Sequence, residues 1–228
     1  MSKYEYLEKY IDYTYHEKYN DVRKQLHASI IDDHFKNKFK NEKKQIIFIA
    51  GCYCTGKSYF VNSMKKQIID ENNFVFVDMD NIRKNIPEYI TYLEENMLTA
   101  PIKTNKESGY IAELIQFHAL SNGYSLIVDE SMKDFEWKKQ YLIWINKTFP
   151  EYEIIIIFIS SSKELIFSRN KKRFDIEKRF IDQDFLEKVY EQTIESFNSI
   201  KTLDFISKIY IYDNNLDATS YDMSNIIL

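Results

Sequence analysis

The sequence predicts an α/β fold in which five parallel strands form one sheet with helices on both faces, preceded by an N-terminal helical extension. Two observations predict this fold. Short apolar runs alternate with longer segments whose apolar residues recur at helical spacing. The run over 154–159 is entirely apolar, which is typical of a strand that is covered on both faces. Because strands that alternate with helices form parallel sheets, we expect a single α/β domain.

The predicted elements follow in order from these runs and the breaks between them. Residues 1–40 contain one or two amphipathic helices that we expect to pack on the domain over 41–228, with partner binding as the alternative. Strands are predicted over 45–50, 74–78, 125–129, 152–159 and 208–212. Helices are predicted over 57–71, 107–121, 135–148, 163–172 and 182–203, with shorter helical segments broken by Pro87 and Pro101.

The composition narrows the classes of function. Four glycines and three prolines in 228 residues argue against a disordered chain, and a net charge of −4 argues against general nucleic-acid binding. The two cysteines lie too close on a tight loop for a disulfide, which is a reduced, intracellular pattern. The first residues lack an apolar stretch and no apolar run could span a bilayer. We therefore expect a cytoplasmic protein without a membrane partner.

Residues 51–58 fit the pattern G-x-x-x-x-G-K-[ST] of a phosphate-binding loop, and they stand between a predicted strand and a predicted helix. Backbone N–H groups of such a loop point at phosphate oxygens. Lys57 is expected to reach the β- and γ-phosphates, and the Ser58 hydroxyl to ligate Mg²⁺. A chance match in a surface turn is the alternative. The predicted nucleotide contacts are Gly51, Cys52, Tyr53, Cys54, Thr55, Gly56, Lys57, Ser58 and Tyr59.

Acidic residues end strands two and three, where ligands of open α/β sheets bind. After strand two, Asp80 can accept the proton of an attacking hydroxyl and Arg83 can hold an anionic substrate. The alternative is that Asp80 caps the following helix. Strand three ends at Asp129, and an acid at the end of an apolar strand can bind Mg²⁺ directly or through water. The alternative is that the aspartate only ends the strand as a turn residue. The four histidines show no metal-ligand spacing, so zinc is not expected.

A basic stretch follows the helix after strand four. Arg169 and Arg173 are four residues apart and share a helix face. Arginines that fold over the transferred phosphoryl group stabilise its charge, so this stretch suits a closing lid over about 169–182. A solvated charged helix and a patch for nucleic-acid phosphates are the alternatives.

The loop cysteines sit among N–H donors and close to Lys57. Such surroundings lower the pKa of a thiol, so we expect thiol modification to block ATP binding.

Together these segments resemble the zeta-toxin-like P-loop kinases over about Lys44 to Asn215. Bacterial members of that family include toxins of toxin–antitoxin pairs that phosphorylate UDP-N-acetylglucosamine. Besides the phosphate loop, the matching pieces are 78–83 with 87–89, 107–111, 129–134, Trp137, 149–150 and the three arginines Arg169, Arg173 and Arg179.

The resemblance implies a role for each matching residue. Asp80 falls on the acid that deprotonates the acceptor hydroxyl, and Glu107 falls on an acid near the substrate. Ser131 falls on a residue that contacts the substrate. The arginines that clamp the nucleotide phosphates fall on Arg169, Arg173 and Arg179.

The sequence departs from the family pattern at three positions. Glu130 replaces a glycine that is common after the strand-three acid, and Lys133 replaces an arginine that could bind a phosphate bidentately. Lys133 remains a candidate for substrate binding. Cys54 stands where glycine is common, and because cysteine adopts left-handed dihedral angles poorly, we expect a loop of slightly different shape.

The predicted function is an ATP- and Mg²⁺-dependent kinase. It would transfer the γ-phosphate to a hydroxyl of a small, nucleotide-linked acceptor such as a nucleotide sugar, with UDP-N-acetylglucosamine as the leading candidate. Asp80, Lys57, Arg169 and Arg173 would be the catalytic residues. One alternative is a nucleotide-gated module that binds an antitoxin-like protein. Adenylylsulfate kinases and polynucleotide 5′-kinases share part of the pattern around Asp80, and a polynucleotide 5′-kinase is the second alternative.

Overall fold

The computed structural model describes residues 3–177, 181–215, 221, 223–226 and 228. One five-stranded parallel sheet confirms the predicted fold class, and its strand order is β2-β3-β1-β4-β5. Each predicted strand is present, with ends displaced by one residue at most. The strands are β1 (Gln45–Ala50), β2 (Phe74–Asp78), β3 (Ser125–Glu130), β4 (Glu153–Ser160) and β5 (Lys208–Asp213).

The helices largely match the predicted ones, and a 3-10 helix, Glu5–Tyr10, precedes them. The predicted helix over 57–71 stops earlier, at Gln67, and the helix that begins at Lys163 extends further than predicted. The helices are α1 (Asp21–Phe35), α2 (Lys57–Gln67), α3 (Met79–Arg83), α4 (Glu88–Glu95), α5 (Ala100–Lys103), α6 (Asn105–Asn122), α7 (Phe135–Thr148), α8 (Lys163–Glu177) and α9 (Gln183–Ile200).

Local sequence explains where several of these helices begin and end. The side chain of Asn20 accepts a hydrogen bond from Arg23 N at the start of α1, and Asp134 caps α7 in the same way. Gly123 ends α6 with a φ of 79°, a left-handed conformation that glycine adopts without strain. Each cap satisfies a backbone group that the helix itself leaves unpaired.

The chain forms two compact units. The first unit comprises Met1–Glu42 and Asn72–Leu126, and the second comprises Lys43–Glu71 and Ile127–Leu228. In the first unit, the 3-10 helix and α1 both pack on α6. Leu7, Ile31 and Ile111 are fully buried there. The N-terminal helical segment therefore contributes core residues to the first unit.

The second unit is built on the parallel pairing of β1, β4 and β5, in which Phe48 aligns with Ile156 and Ile156 with Ile209. All six residues of β1 are buried, as a strand covered on both faces requires. On β4, Phe158 is 3% exposed and stacks on Phe197 of α9 with ring centroids 3.9 Å apart. This contact fixes α9 on the sheet.

We expect Phe158→Ala to reduce the free energy of unfolding by about 3–5 kcal/mol, because it removes a buried ring and leaves a cavity. Urea denaturation would measure the change. Ile211→Ala is the matched control on β5, since Ile211 is 60% exposed and its loss should change stability by less than about 0.5 kcal/mol. Equal effects of the two substitutions would contradict the packing described above.

Candidate functional site

The phosphate loop connects β1 to α2, and two of its glycines occupy positions that exclude a side chain. At Gly51, with a φ of 150°, an added Cβ would lie 2.4 Å from the backbone oxygen of Ile159. At Gly56, with a φ of 95°, it would lie 2.4 Å from Asn214 Nδ2. The loop therefore takes a path that only glycine allows at these two points.

Cys54 adopts a φ of 62°, in the left-handed region. The loop thus keeps a left-handed backbone conformation at the position where glycine is common. Because cysteine has a side chain, its backbone is strained in this conformation. A left-handed conformation costs a residue with a side chain roughly 1–2 kcal/mol. Strain of this kind is typical of functional loops, where the surrounding structure holds it in place.

The first turn of α2 has the features of an anion site. Among the described residues, no side chain caps its N-terminus at Gly56, so its first N–H groups have no side-chain acceptor. Lys57 Nζ donates to the carbonyl oxygens of Gly51 (2.9 Å) and Cys52 (3.1 Å). An ammonium group beside a helix N-terminus attracts phosphate oxygens. The residues present therefore fit a nucleotide phosphate chain.

Asp129 and Ser58 supply oxygen atoms that suit Mg²⁺. Asp129 Oδ1 lies 3.9 Å from Lys57 Nζ, and the Asp129 side chain is 16% exposed, whereas Ser58 is exposed at the start of α2. In the described part of the chain, no three His, Cys, Asp or Glu residues are grouped to hold a metal. Mg²⁺ bound with phosphates commonly uses only one or two protein carboxylates, so this donor set fits it.

Arg169 of α8 lies against the phosphate loop. Its guanidinium donates to Cys54 O (3.4 Å), to Ser161 Oγ (3.0 Å) and to Asn214 O (2.9 Å). Asn214 Nδ2 in turn donates to Thr55 O at 2.7 Å. Sequence reasoning missed Asn214, although its position directly after β5 is one that the strand-end rule selects.

Of the other two predicted arginines, one lies within the described residues and one lies outside them. Arg173 lies half-buried on α8, four residues beyond Arg169. Arg179 lies outside the described residues, as does part of the predicted lid over 169–182.

In the first unit, Asp78 and not Asp80 caps α3. Asp78 Oδ1 accepts from Asp80 N at 2.8 Å, so the alternative in which Asp80 is the helix cap is wrong. The Asp80 side chain is 39% exposed, and Arg83 Nη2 lies 3.6 Å from Asp80 Oδ1. Arg83 is itself buried and donates to Met79 O at 3.3 Å. The arginine therefore steadies the Asp80 carboxylate, which stays accessible to solvent.

Glu107, in the first turn of α6, is bound by two side chains of α1. Arg23 donates to it through Nε (2.5 Å) and Nη2 (2.8 Å), and His27 Nε2 lies 2.6 Å from Glu107 Oε1. Burial alone would raise the pKa of Glu107, but the hydrogen bonds from His27 and Arg23 outweigh it and lower the pKa to about 2. Sequence reasoning missed Arg23 and His27 because they precede Glu107 by 84 and 80 residues, respectively.

The segment after β3 shows how the chain accommodates Glu130. Glu130 Oε1 lies 2.5 Å from Lys138 Nζ, so the two side chains form an ion pair. Lys138 is buried, and burial lowers the pKa of its ammonium group. Ser131 is half-buried, and Lys133 Nζ lies 5.1 Å from the ring centroid of Phe185 on α9.

The expectation of a lowered thiol pKa in the loop is wrong for Cys52. Its side chain is 2% exposed and packs with Ile166, Leu186 and Val189. Burial raises the pKa of Cys52 to about 11, because the apolar surroundings disfavour the thiolate more than Lys57 favours it.

We expect Cys52 to react slowly with iodoacetamide near neutral pH. The thiolate is the nucleophile, so the rate should rise about tenfold per pH unit until the pH approaches the raised pKa of about 11. Mass spectrometry of the Cys54→Ser variant would measure Cys52 alone, and the Cys52→Ser variant is the control that reports Cys54. Rapid labelling of Cys52 near pH 7 would contradict the assignment.

No helix in the described residues is long and apolar enough to cross a membrane.

Comparisons with known proteins agree on one family and fold. The family model "Zeta toxin" matches residues 28–226. A chain from the PezAT chromosomal toxin–antitoxin system of Streptococcus pneumoniae is similar with a TM-score of 0.70 and 19% identity, covering 92% of this chain and 85% of that one. The AvrRxo1-ORF1:ORF2 complex with ATP gives a TM-score of 0.62 and 12% identity over 86% of this chain and 64% of that chain. The search against curated proteins gives no significant match.

At these identities the solved structures establish the fold alone, whereas the family model covers most of the chain. It includes the phosphate loop, both strand-end acids and α8. The resemblance predicted from the sequence is thereby confirmed, and the chain belongs to the zeta toxin family.

Proposed function

We propose that this protein is an ATP-dependent kinase that phosphorylates a hydroxyl group of a small, nucleotide-linked acceptor. UDP-N-acetylglucosamine is the leading candidate for that acceptor. The observation that carries the proposal is the phosphate loop, in which Lys57 and Arg169 both bind backbone carbonyl oxygens. Their positive charges would attract the negatively charged phosphates of a donor nucleotide bound at the loop.

On the donor side, the second unit binds and orients ATP. The N–H groups of the loop and the first turn of α2 hold the phosphates, with Lys57 at the β- and γ-phosphates. Arg169 stabilises the charge that develops during transfer, and Arg173 and Arg179 assist it. Ser58 and Asp129 would hold Mg²⁺, which would supply further neutralisation of the phosphate charge.

On the acceptor side, the first unit provides the base. Asp80 has an exposed carboxylate with Arg83 beside it, which suits a group that must be ionised and reach a substrate. Asp80 takes the proton of the acceptor hydroxyl as the hydroxyl oxygen attacks the γ-phosphorus. The bond from this phosphorus to the β–γ bridging oxygen breaks, and ADP is the leaving group. Glu107, Ser131 and Lys133 bind other parts of the acceptor, as their family positions imply.

The experiment that tests the proposal is a metabolite screen with labelled ATP in which UDP-N-acetylglucosamine is the first probe. We expect Asp80→Asn to lower phosphate transfer by roughly 10²–10⁴-fold while ATP affinity is unchanged, because the loop that binds ATP remains intact. Lys57→Ala should instead weaken ATP binding itself.

The matched control for Asp80 is Asp21→Asn, which removes another first-turn acid of the same unit. This control should leave transfer unchanged. Full transfer by the Asp80→Asn variant would show that Asp80 is not the base. If no acceptor gains phosphate from the wild-type protein, the kinase proposal fails.

A second candidate is a nucleotide-gated module that binds an antitoxin-like protein. The similarity to a chain from a toxin–antitoxin system favours it. Capture of a co-encoded partner by the ATP-loaded wild-type protein but not by Lys57→Ala, without acceptor turnover, would support this function over the kinase.

A polynucleotide kinase is less favoured, because Arg169 of the basic stretch contacts the phosphate loop and Asn214. Strongly salt-dependent binding of nucleic acid would instead support the polynucleotide kinase.

A further inference from the structure

The cluster formed by Arg23, His27, Glu88 and Glu107 lies entirely within the first unit. Arg23 donates to Glu88 through Nη1 and Nη2, both at 2.8 Å, and to Glu107 through Nε and Nη2. Both carboxylates therefore face one guanidinium, and its charge is fully engaged. The two carboxylates together carry one more unit of charge than the guanidinium that they share.

The Glu107 carboxylate has one hydrogen-bonding position left. A carboxylate offers about four lone-pair positions. Three are filled within the described residues: Oε1 receives Arg23 Nε and His27 Nε2, and Oε2 receives Arg23 Nη2. The remaining position can accept a hydrogen bond but cannot attract an anion, because no unpaired positive charge remains beside it.

The contacts of α1 show that this helix is packed firmly into the first unit. His27 is 2% exposed and lies edge-on to Tyr19 at 4.7 Å between ring centroids, and Ile30 and Ile31 of the same helix are buried as well. Lys24 forms an ion pair with Glu8 at 2.6 Å. Removing α1 would expose this apolar surface and leave Glu107 without its three donors. The helix is thus a permanent part of the first unit.

We propose that Arg23 and His27 are positioning residues of the acceptor site, which hold Glu107 ionised and in one orientation so that it accepts a hydrogen bond from a neutral donor such as a sugar hydroxyl. This proposal rests on the proposed kinase function. Both residues precede the segment matched by the family model, residues 28–226, whereas Glu107 lies within it. The N-terminal segment would therefore determine which part of the acceptor meets Glu107, and the phosphates of that acceptor would bind elsewhere.

The first test needs no acceptor. Carbon-13 NMR of labelled glutamate, with Glu107→Gln to assign the signal, would follow the Glu107 carboxyl group between about pH 4 and 7. In the wild-type protein the signal should stay constant, since the pKa of Glu107 is about 2. In Arg23→Gln the burial remains while one of the two side chains that lower the pKa of Glu107 is lost, so the pKa should rise and the carboxyl group should titrate within this window. A constant signal in both proteins would overturn the proposal.

The second test measures phosphate transfer to UDP-N-acetylglucosamine. Arg23→Gln should raise the KM for this acceptor about tenfold or more near pH 7, and further near pH 5, while the KM for ATP is unchanged. Lys24→Gln is the matched control, because it removes a neighbouring ion pair of α1 that does not touch Glu107. Equal KM values for the two variants at both pH values would overturn the proposal.

A pair of substitutions at His27 covers the case in which Arg23→Gln does not fold. His27→Gln keeps an N–H donor and should retain the KM for the acceptor, whereas His27→Leu should raise it. Equal KM values in this pair would exclude His27 as a positioning residue. Failure of the wild-type protein to transfer phosphate counts against the proposed function, whereas wild-type transfer with unaltered variants counts against Arg23 and His27 alone.

Discussion

Hydrogen bonds to the backbone carbonyl groups of the phosphate loop fix its shape, and the chemistry of the second unit depends on them. The donors come from α2 (Lys57), from α8 (Arg169) and from the segment after β5 (Asn214). In a planar peptide the C=O and N–H groups point in opposite directions. Donors on the carbonyl side therefore leave the N–H groups of the same peptides directed away from them, which is the arrangement that anion binding requires.

The same constraint explains the unusual backbone of the loop. Gly51 runs so close to the Ile159 carbonyl of β4 that a Cβ would not fit, and Gly56 is equally close to Asn214. Cys54 between them takes a left-handed conformation in spite of its side chain. The strain is tolerated because the neighbouring elements already fix both ends of the loop. Arg169 and Asn214 thus hold the loop in this shape through its carbonyl groups.

The fold and the loop could be predicted from the sequence because their signals are local. The apolar run of β4 and the eight-residue loop motif each lie within a few consecutive residues. Contacts between distant residues gave no such signal: Asn214 bonds to Thr55 across 159 residues, and Arg23 to Glu107 across 84. Burial also reversed one expectation, because the apolar neighbours of Cys52 that raise its pKa come from α8 and α9.

Glu130 departs from the family pattern, and the structure pairs it with Lys138. The Lys138 ammonium is buried 2.5 Å from Glu130 and 3.6 Å from the ring centroid of Phe48, so both a carboxylate and an aromatic face compensate its lost hydration. Breaking such a pair on one side costs about 3–5 kcal/mol, whereas exchanging both members for apolar residues is often neutral. Glycine at position 130 would therefore require a different residue at 138. The acid at 130 thus reflects packing beneath the strand end that carries Asp129. Lys133 is the remaining difference in this segment, and in the proposed function it would bear on the acceptor.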